Sequence, residues 1–89
     1  MAGNTIATSH PYVIKTSGVQ GGQPCIKDTR VSVAAVWNLY DIHGLSPREI
    51  VSQFPQLSLS AVLDALSYAA EHQEEITEIL KSEESSHPG

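Results

Sequence analysis

A single cysteine, Cys25, stands in the 89 residues. An internal disulfide is therefore excluded, and with it the disulfide-stapled scaffolds that many small secreted domains use. A reducing, cytoplasmic setting is the expectation. Basic residues are also few. Five Lys and Arg face ten Asp and Glu, for a net charge of −5, which disfavours a simple basic nucleic-acid binder. No run approaches the ~18 consecutive apolar residues of a membrane span. The opening segment, residues 1–13, has neither a positive stretch nor an apolar run, so it is not read as a signal peptide. The chain is short as well. It allows one domain, burying only about 60–65% of the surface exposed on unfolding, and such a domain often completes its core by oligomerising. Hydrophobic residues make up 40%, an ordinary globular share.

Residues 1–11 are small or polar and are expected to be flexible. The single domain is expected over 12–81, with strands within 12–32 and helices at about 33–43, 47–54 and 59–81. Tyr12-Val13-Ile14-Lys15, Pro24-Cys25-Ile26-Lys27 and Thr29-Arg30-Val31-Ser32-Val33 are β-prone runs. The glycine-rich stretch from Gly18 to Gly22 separates the first two as a turn. It lacks the spacing of a phosphate-binding loop. Such short strands need the helices, or a second copy of the chain, to persist.

Helical periodicity starts at Val33, with Val36, Trp37 and Tyr40 on the same face and expected in the core. Ser32 is the N-cap and Gly44 the stop. Ser46-Pro47-Arg48-Glu49 is a capping box with Pro at N1, and the helix it opens ends before Pro55. From Ser58 a stripe runs through Leu59, Val62, Leu66, Ala69, Gln73, Ile76 and Leu80 in steps of three and four, which predicts one long amphipathic helix. At ~1.5 Å per residue it would outrun the two shorter helices, leaving Ile76, Ile79 and Leu80 exposed. Together with Val13 and Ile14, these three are the candidate dimer or partner interface. Residues 82–89 read as a disordered acidic tail. Charge is divided unevenly: residues 1–57 carry +1 and residues 58–89 carry −6.

Two patterns then resemble a known family. Gly21-Gly22-x-Pro24-x-Ile26-x-x-Thr29-Arg30-Val31-x-Val33 looks like the opening signature of the prokaryotic family named domain of unknown function 433. Gly44-Leu45-Ser46-Pro47-Arg48-Glu49-Ile50, Phe54-Pro55-Gln56-Leu57-Ser58 and Val62-x-x-Ala65-Leu66-x-Tyr68-Ala69 match its second half. Gly22, Pro24, Thr29, Arg30 and Pro55 are the motif positions assigned structural roles. Asp28 stands where the family usually has glycine. The resemblance implies a mainly α fold, a three-helix homeodomain-like (helix-turn-helix type) bundle with a short N-terminal β arm, usually dimeric. It also implies kinship with VapB-like antitoxins encoded beside PIN-like ribonuclease toxins.

The helices flanking Pro55 form a helix-turn-helix candidate, but the start of the second offers Leu59, Ser60, Ala61, Leu63, Asp64 and Ser67. None is a residue that reads purine edges bidentately, so this helix is read as architecture. Lys15, Lys27, Arg30 and Arg48 are the candidate nucleic-acid contacts, a modest basic surface that two copies would double. The structural alternative, preferred for Arg30, is that it holds the arm against the helices. His10, His43, His72 and His87 have no zinc-ligand spacing, Cys25 reads as a buried structural thiol, and no nucleophile–base set stands out. No catalytic residue, cofactor or metal is expected. The expected function is a non-catalytic, antitoxin-like interaction module that dimerises and binds a partner such as a PIN-like toxin. The alternative is a dimeric DNA-binding regulator that uses the arm.

Overall fold

A computed structural model describes residues 5–16, 18 and 20–85. The fold is mainly helical with one small antiparallel sheet. β1 (Thr5–Ala7), β2 (Val13–Thr16) and β3 (Pro24–Ile26) lie in that order. Ile6 faces Lys15 across the first pair, and Ile14 faces Cys25 across the second. Pro24 has no N–H to give the ladder and sits at the first residue of its strand, where that loss matters least. All three residues of β3 are buried. The third β-prone run contributes only one bridge, Cys25 to Ser32, because helix formation takes over at Val33.

The segment expected to be flexible up to residue 11 is instead structured from Thr5. β1 pairs with β2, and the Thr8 hydroxyl donates its one proton to the Val13 carbonyl at 2.7 Å, with the His10 carbonyl 3.0 Å away. A short polar sequence thus gains order from non-local pairing, which local composition does not report. Residues 1–4 lie outside the described residues.

The helices are α1 (Val33–Asp41), α2 (Pro47–Gln53), α3 (Leu59–Glu71) and α4 (Gln73–Ser85). The starts of α1, α2 and α3 follow the sequence signals. Ser32 Oγ accepts from the Ala35 N–H, and Ser58 Oγ accepts from the Ala61 N–H. Ser46 and Glu49 form the reciprocal capping box, at 2.8 and 3.2 Å, and the Ser46 N–H and hydroxyl hold the Glu49 carboxyl below its ordinary range. Phe54 caps α2 in a non-helical conformation (φ −125, ψ 77) directly before Pro55, as the steric conflict with a following proline requires. Trp37 is partly buried, but Tyr40 is 43% exposed. At the end of α1 Tyr40 turns away from the core, contrary to the periodicity, while Leu39 packs against it.

The single helix expected over 59–81 is two helices. His72 leaves the helical region (φ −123, ψ 47), and its N–H still bonds back to Tyr68 and Ala69. Neither proline nor glycine marks this break. The signal present is electrostatic: Glu74 and Glu75 occupy the first turn of α4, where the helix dipole favours negative charge. The break lets α4 pack against α1. Ile76 is then 1% exposed and belongs to the main core with Val33, Val36, Ile50, Val62 and Tyr68. Ile79 and Leu80 pack at its margin. The expected surplus of apolar surface at Ile76, Ile79 and Leu80 is therefore absorbed within the chain. Val13, also nominated for an interface, is fully buried, while Ile14 is half-buried. Of the expected tail, residues 82–85 complete α4, and residues 86–89 lie outside the described residues. No helix among the described residues is long and apolar enough to cross a membrane.

Candidate functional site

The turn from Lys27 to Arg30 is built by its own hydrogen bonds. Thr29 Oγ1 donates to the Ile26 carbonyl (2.8 Å) and accepts from the Val31 N–H (3.0 Å). The Ile26 N–H closes onto Val31 O at 2.9 Å. Asp28 takes a positive φ of 64, the left-handed region that glycine enters freely and that Asp tolerates better than most residues. Asp can therefore hold this turn, and glycine would hold it with less strain. The Lys27 N–H bonds to Tyr12 O at 2.8 Å, tying the turn to the start of β2.

An open cleft of about 640 Å³ lies between this turn and the start of α3. Tyr12, Lys27, Asp28, Thr29, Arg30, Gln56 and Ser58 line it over an apolar floor of Ile26, Leu57 and Ala61. Two of the four nominated cations, Lys27 and Arg30, thus meet at one site. Lys15 does not join them. Its ammonium lies 2.7 Å from Glu75 Oε2, and that bond raises the Lys15 pKa above its ordinary value. Arg48 is exposed on α2 and is not among the residues lining the cleft. The serine and threonine hydroxyls in the cleft are engaged with backbone: Ser58 caps α3 and Thr29 braces the turn. Such a site can offer charge and hydrogen-bond donors, and its serine and threonine are not paired with a base. Cys25 is buried, and burial pushes its thiol up, as an inert structural thiol requires.

A second polar assembly fixes the arm to the helices. His10 Nδ1 lies 2.9 Å from Asp64 Oδ1, and His10 Nε2 lies 2.9 Å from Glu71 Oε1. Asp64 Oδ2 also accepts the Tyr12 N–H at 2.9 Å. The His10 and Tyr68 rings form a T-shaped pair with centroids 5.5 Å apart, and Tyr68 stacks on His72 at 4.3 Å. The Tyr68 hydroxyl donates to Glu75 Oε1 at 2.7 Å. Burial raises the Tyr68 pKa, and the bond to Glu75 adds to this. Burial works against ionisation of Glu75, but the bonds from Lys15 and Tyr68 outweigh it and lower its pKa. Bonds to Glu71 first, then Asp64, raise the His10 pKa against the opposing cost of burial. Among the described residues no His, Cys, Asp and Glu group of three or more is arranged to hold a metal, and His87 lies outside them.

In the sequence His10 stands as an isolated histidine, and Tyr12, Gln56 and Ser58 read as parts of a strand, a turn and a helix cap. One signal for the clasp was present. Asp64 and Glu71 are seven residues apart, two turns along one helix face, so they form a ready acidic pair.

The family described as a protein of unknown function, DUF433, matches residues 13–69, more than half of the chain. The chain belongs to the DUF433 family. It is also similar to a solved DUF433 member protein from Anabaena variabilis, with 32% identity and a TM-score of 0.64. The match covers 78% of this chain and 68% of that one. No curated protein matches the chain. The DUF433 match includes the whole cleft apart from Tyr12. It stops short of Glu71, His72 and α4, and it starts after His10. The His10 clasp therefore joins the DUF433 core to segments on both sides of it.

Proposed function

We propose that this DUF433 chain is a non-catalytic binding module. It acts as a dimer and engages the phosphate backbone of nucleic acid through the cleft beside Lys27 and Arg30. On this reading α1, α2 and α3 are a homeodomain-like, helix-turn-helix type core, and the β arm carries the contact. The observation that supports it is the convergence of Lys27 and Arg30 with the neutral polar groups of Tyr12, Gln56 and Ser58 on one cleft. Asp28 offsets part of this charge, so one copy supplies a weak site and a second copy doubles it. Backbone contacts of this kind give affinity and position without reading sequence. The outward face of α3 supports the same choice, because Asp64 is acidic and already bonded to His10 and Tyr12. A helix so occupied is poorly suited to enter a groove. The test is fluorescence anisotropy with duplex DNA at low salt. Binding weakened alike on all sequences by Lys27→Ala and Arg30→Ala supports the proposal, and absence of binding at low salt contradicts it.

A protein partner is the second reading, with the chain as an antitoxin-like module that masks a PIN-like ribonuclease. It draws support from the end of α1, where Tyr40 is 43% and Ile42 66% exposed. Adjacent exposed apolar groups suit a protein interface. α4 supports it less, since Ile76 is buried within the chain. Co-purification with the product of the adjacent gene, lost in Ile42→Asp, is the expected result. No complex with the wild-type chain would contradict it.

A further inference from the structure

We infer that His10 is a protonation-dependent clasp that holds the N-terminal arm on α3. The two ring nitrogens of His10 each lie 2.9 Å from a different carboxylate, Asp64 and Glu71. A carboxylate in its ionised form only accepts hydrogen bonds. Both contacts can be made at once only if both nitrogens carry a proton, which is the imidazolium. The neutral ring donates from one nitrogen alone. It then sets a lone pair against the other carboxylate.

The surroundings favour the charged ring. From α3 it faces Asp64, Glu71 and the ring of Tyr68, and behind Tyr68 stands His72. From α4, Glu75 reaches this group through the Tyr68 hydroxyl, and Lys15 of β2 neutralises Glu75. The acidic members directly touching His10 thus outnumber the cations. The His10 side chain is 11% exposed and Asp64 19%, against 57% for Glu71. The Asp64 contact is accordingly the better shielded half, and Glu71 is the half more screened by solvent.

What the clasp holds is specific. Asp64 binds His10 with one oxygen and the Tyr12 N–H with the other, and the Val13 N–H bonds to His10 O at 3.1 Å. Loss of the His10 proton therefore loosens the turn that joins β1 to β2. The arm is held while His10 keeps its proton and is released as that proton is lost. This inference stands apart from any ligand of the cleft.

The experiment is amide hydrogen exchange at Tyr12 and Val13 in the full chain from pH 5.5 to 9. Rates are corrected for intrinsic exchange, and the His10 ring is titrated in parallel by NMR. Losing a charge-assisted bond predicts about a tenfold fall in protection as His10 deprotonates. His10→Gln should show lower protection with no step, and His72→Gln should keep the step. Protection that stays flat across the His10 titration overturns the inference in the wild-type chain alone, whatever the folding of the variants. A step retained in His10→Gln, or abolished in His72→Gln, overturns it too.

Discussion

Asp64 and Tyr12 are 52 residues apart in the chain, yet the Asp64 carboxylate accepts the Tyr12 backbone N–H at 2.9 Å. The contact links the two polar assemblies. Tyr12 lines the cleft beside Lys27 and Arg30, and Asp64 also binds His10. One side chain on α3 therefore positions the arm, and through the Lys27 N–H bond to Tyr12 O it also steadies the turn that carries the cations.

Asp64→Ala should accordingly destabilise the fold by about 1.5–3 kcal/mol, the range for hydrogen bonds to a charged group. Urea unfolding followed by circular dichroism measures this. An effect within ±0.5 kcal/mol, typical of an ordinary surface position, would mean that the arm is not held by this residue.

Stability should also depend on pH through His10. Its folded pKa is raised, so the folded state binds the proton more tightly than the unfolded chain does. That contribution is fully present below about pH 6.5, the ordinary histidine value. It disappears as pH rises through the raised value. Urea midpoints compared between wild type and His10→Gln should converge at high pH and separate toward pH 6. Parallel curves across this window would contradict the assignment.

Ile76→Ala distinguishes a core from an interface. Ile76 is 1% exposed within one chain, so truncation should cost about 2–5 kcal/mol. The loss of thermal midpoint should be independent of protein concentration. A loss that vanishes on dilution to the monomer would return Ile76 to an interface.

Asp28 tests the turn. With φ at 64, Asp28→Gly should relieve strain and leave stability unchanged or raised by up to about 1 kcal/mol. Asp28→Val should lower it by about 1–2 kcal/mol. The reverse order in thermal unfolding would mean that the Asp side chain itself, rather than the backbone conformation, holds the turn.

Much of the fold was legible because its signals are local. Ser32, Ser46 and Ser58 cap helices where the pattern placed them, and Pro55 ends α2. The runs at Val13 and Pro24 pair as strands. Position 72 was not legible from periodicity, since the stripe continues in steps of three and four across a break that the backbone makes at His72. Packing of α4 against α1, with Ile76 buried in the core, rewards that break, and such a packing gain has no local signature. The arm failed for the same reason. Thr5–Ala7 and His10 are ordered by partners on β2 and α3, far away in sequence. At the cleft, Lys27 and Arg30 were legible as charges, whereas their meeting with Gln56 and Ser58 depends on how α3 packs over the turn.

The most direct test of the proposed function is NMR chemical-shift mapping of the full chain titrated with duplex DNA at low salt. Backbone contact through the cleft should give perturbations concentrated at Tyr12, Lys27–Arg30 and Gln56–Ser58, weakening as salt rises. No perturbation there, or shifts confined to Tyr40 and Ile42 or to α4, would contradict it.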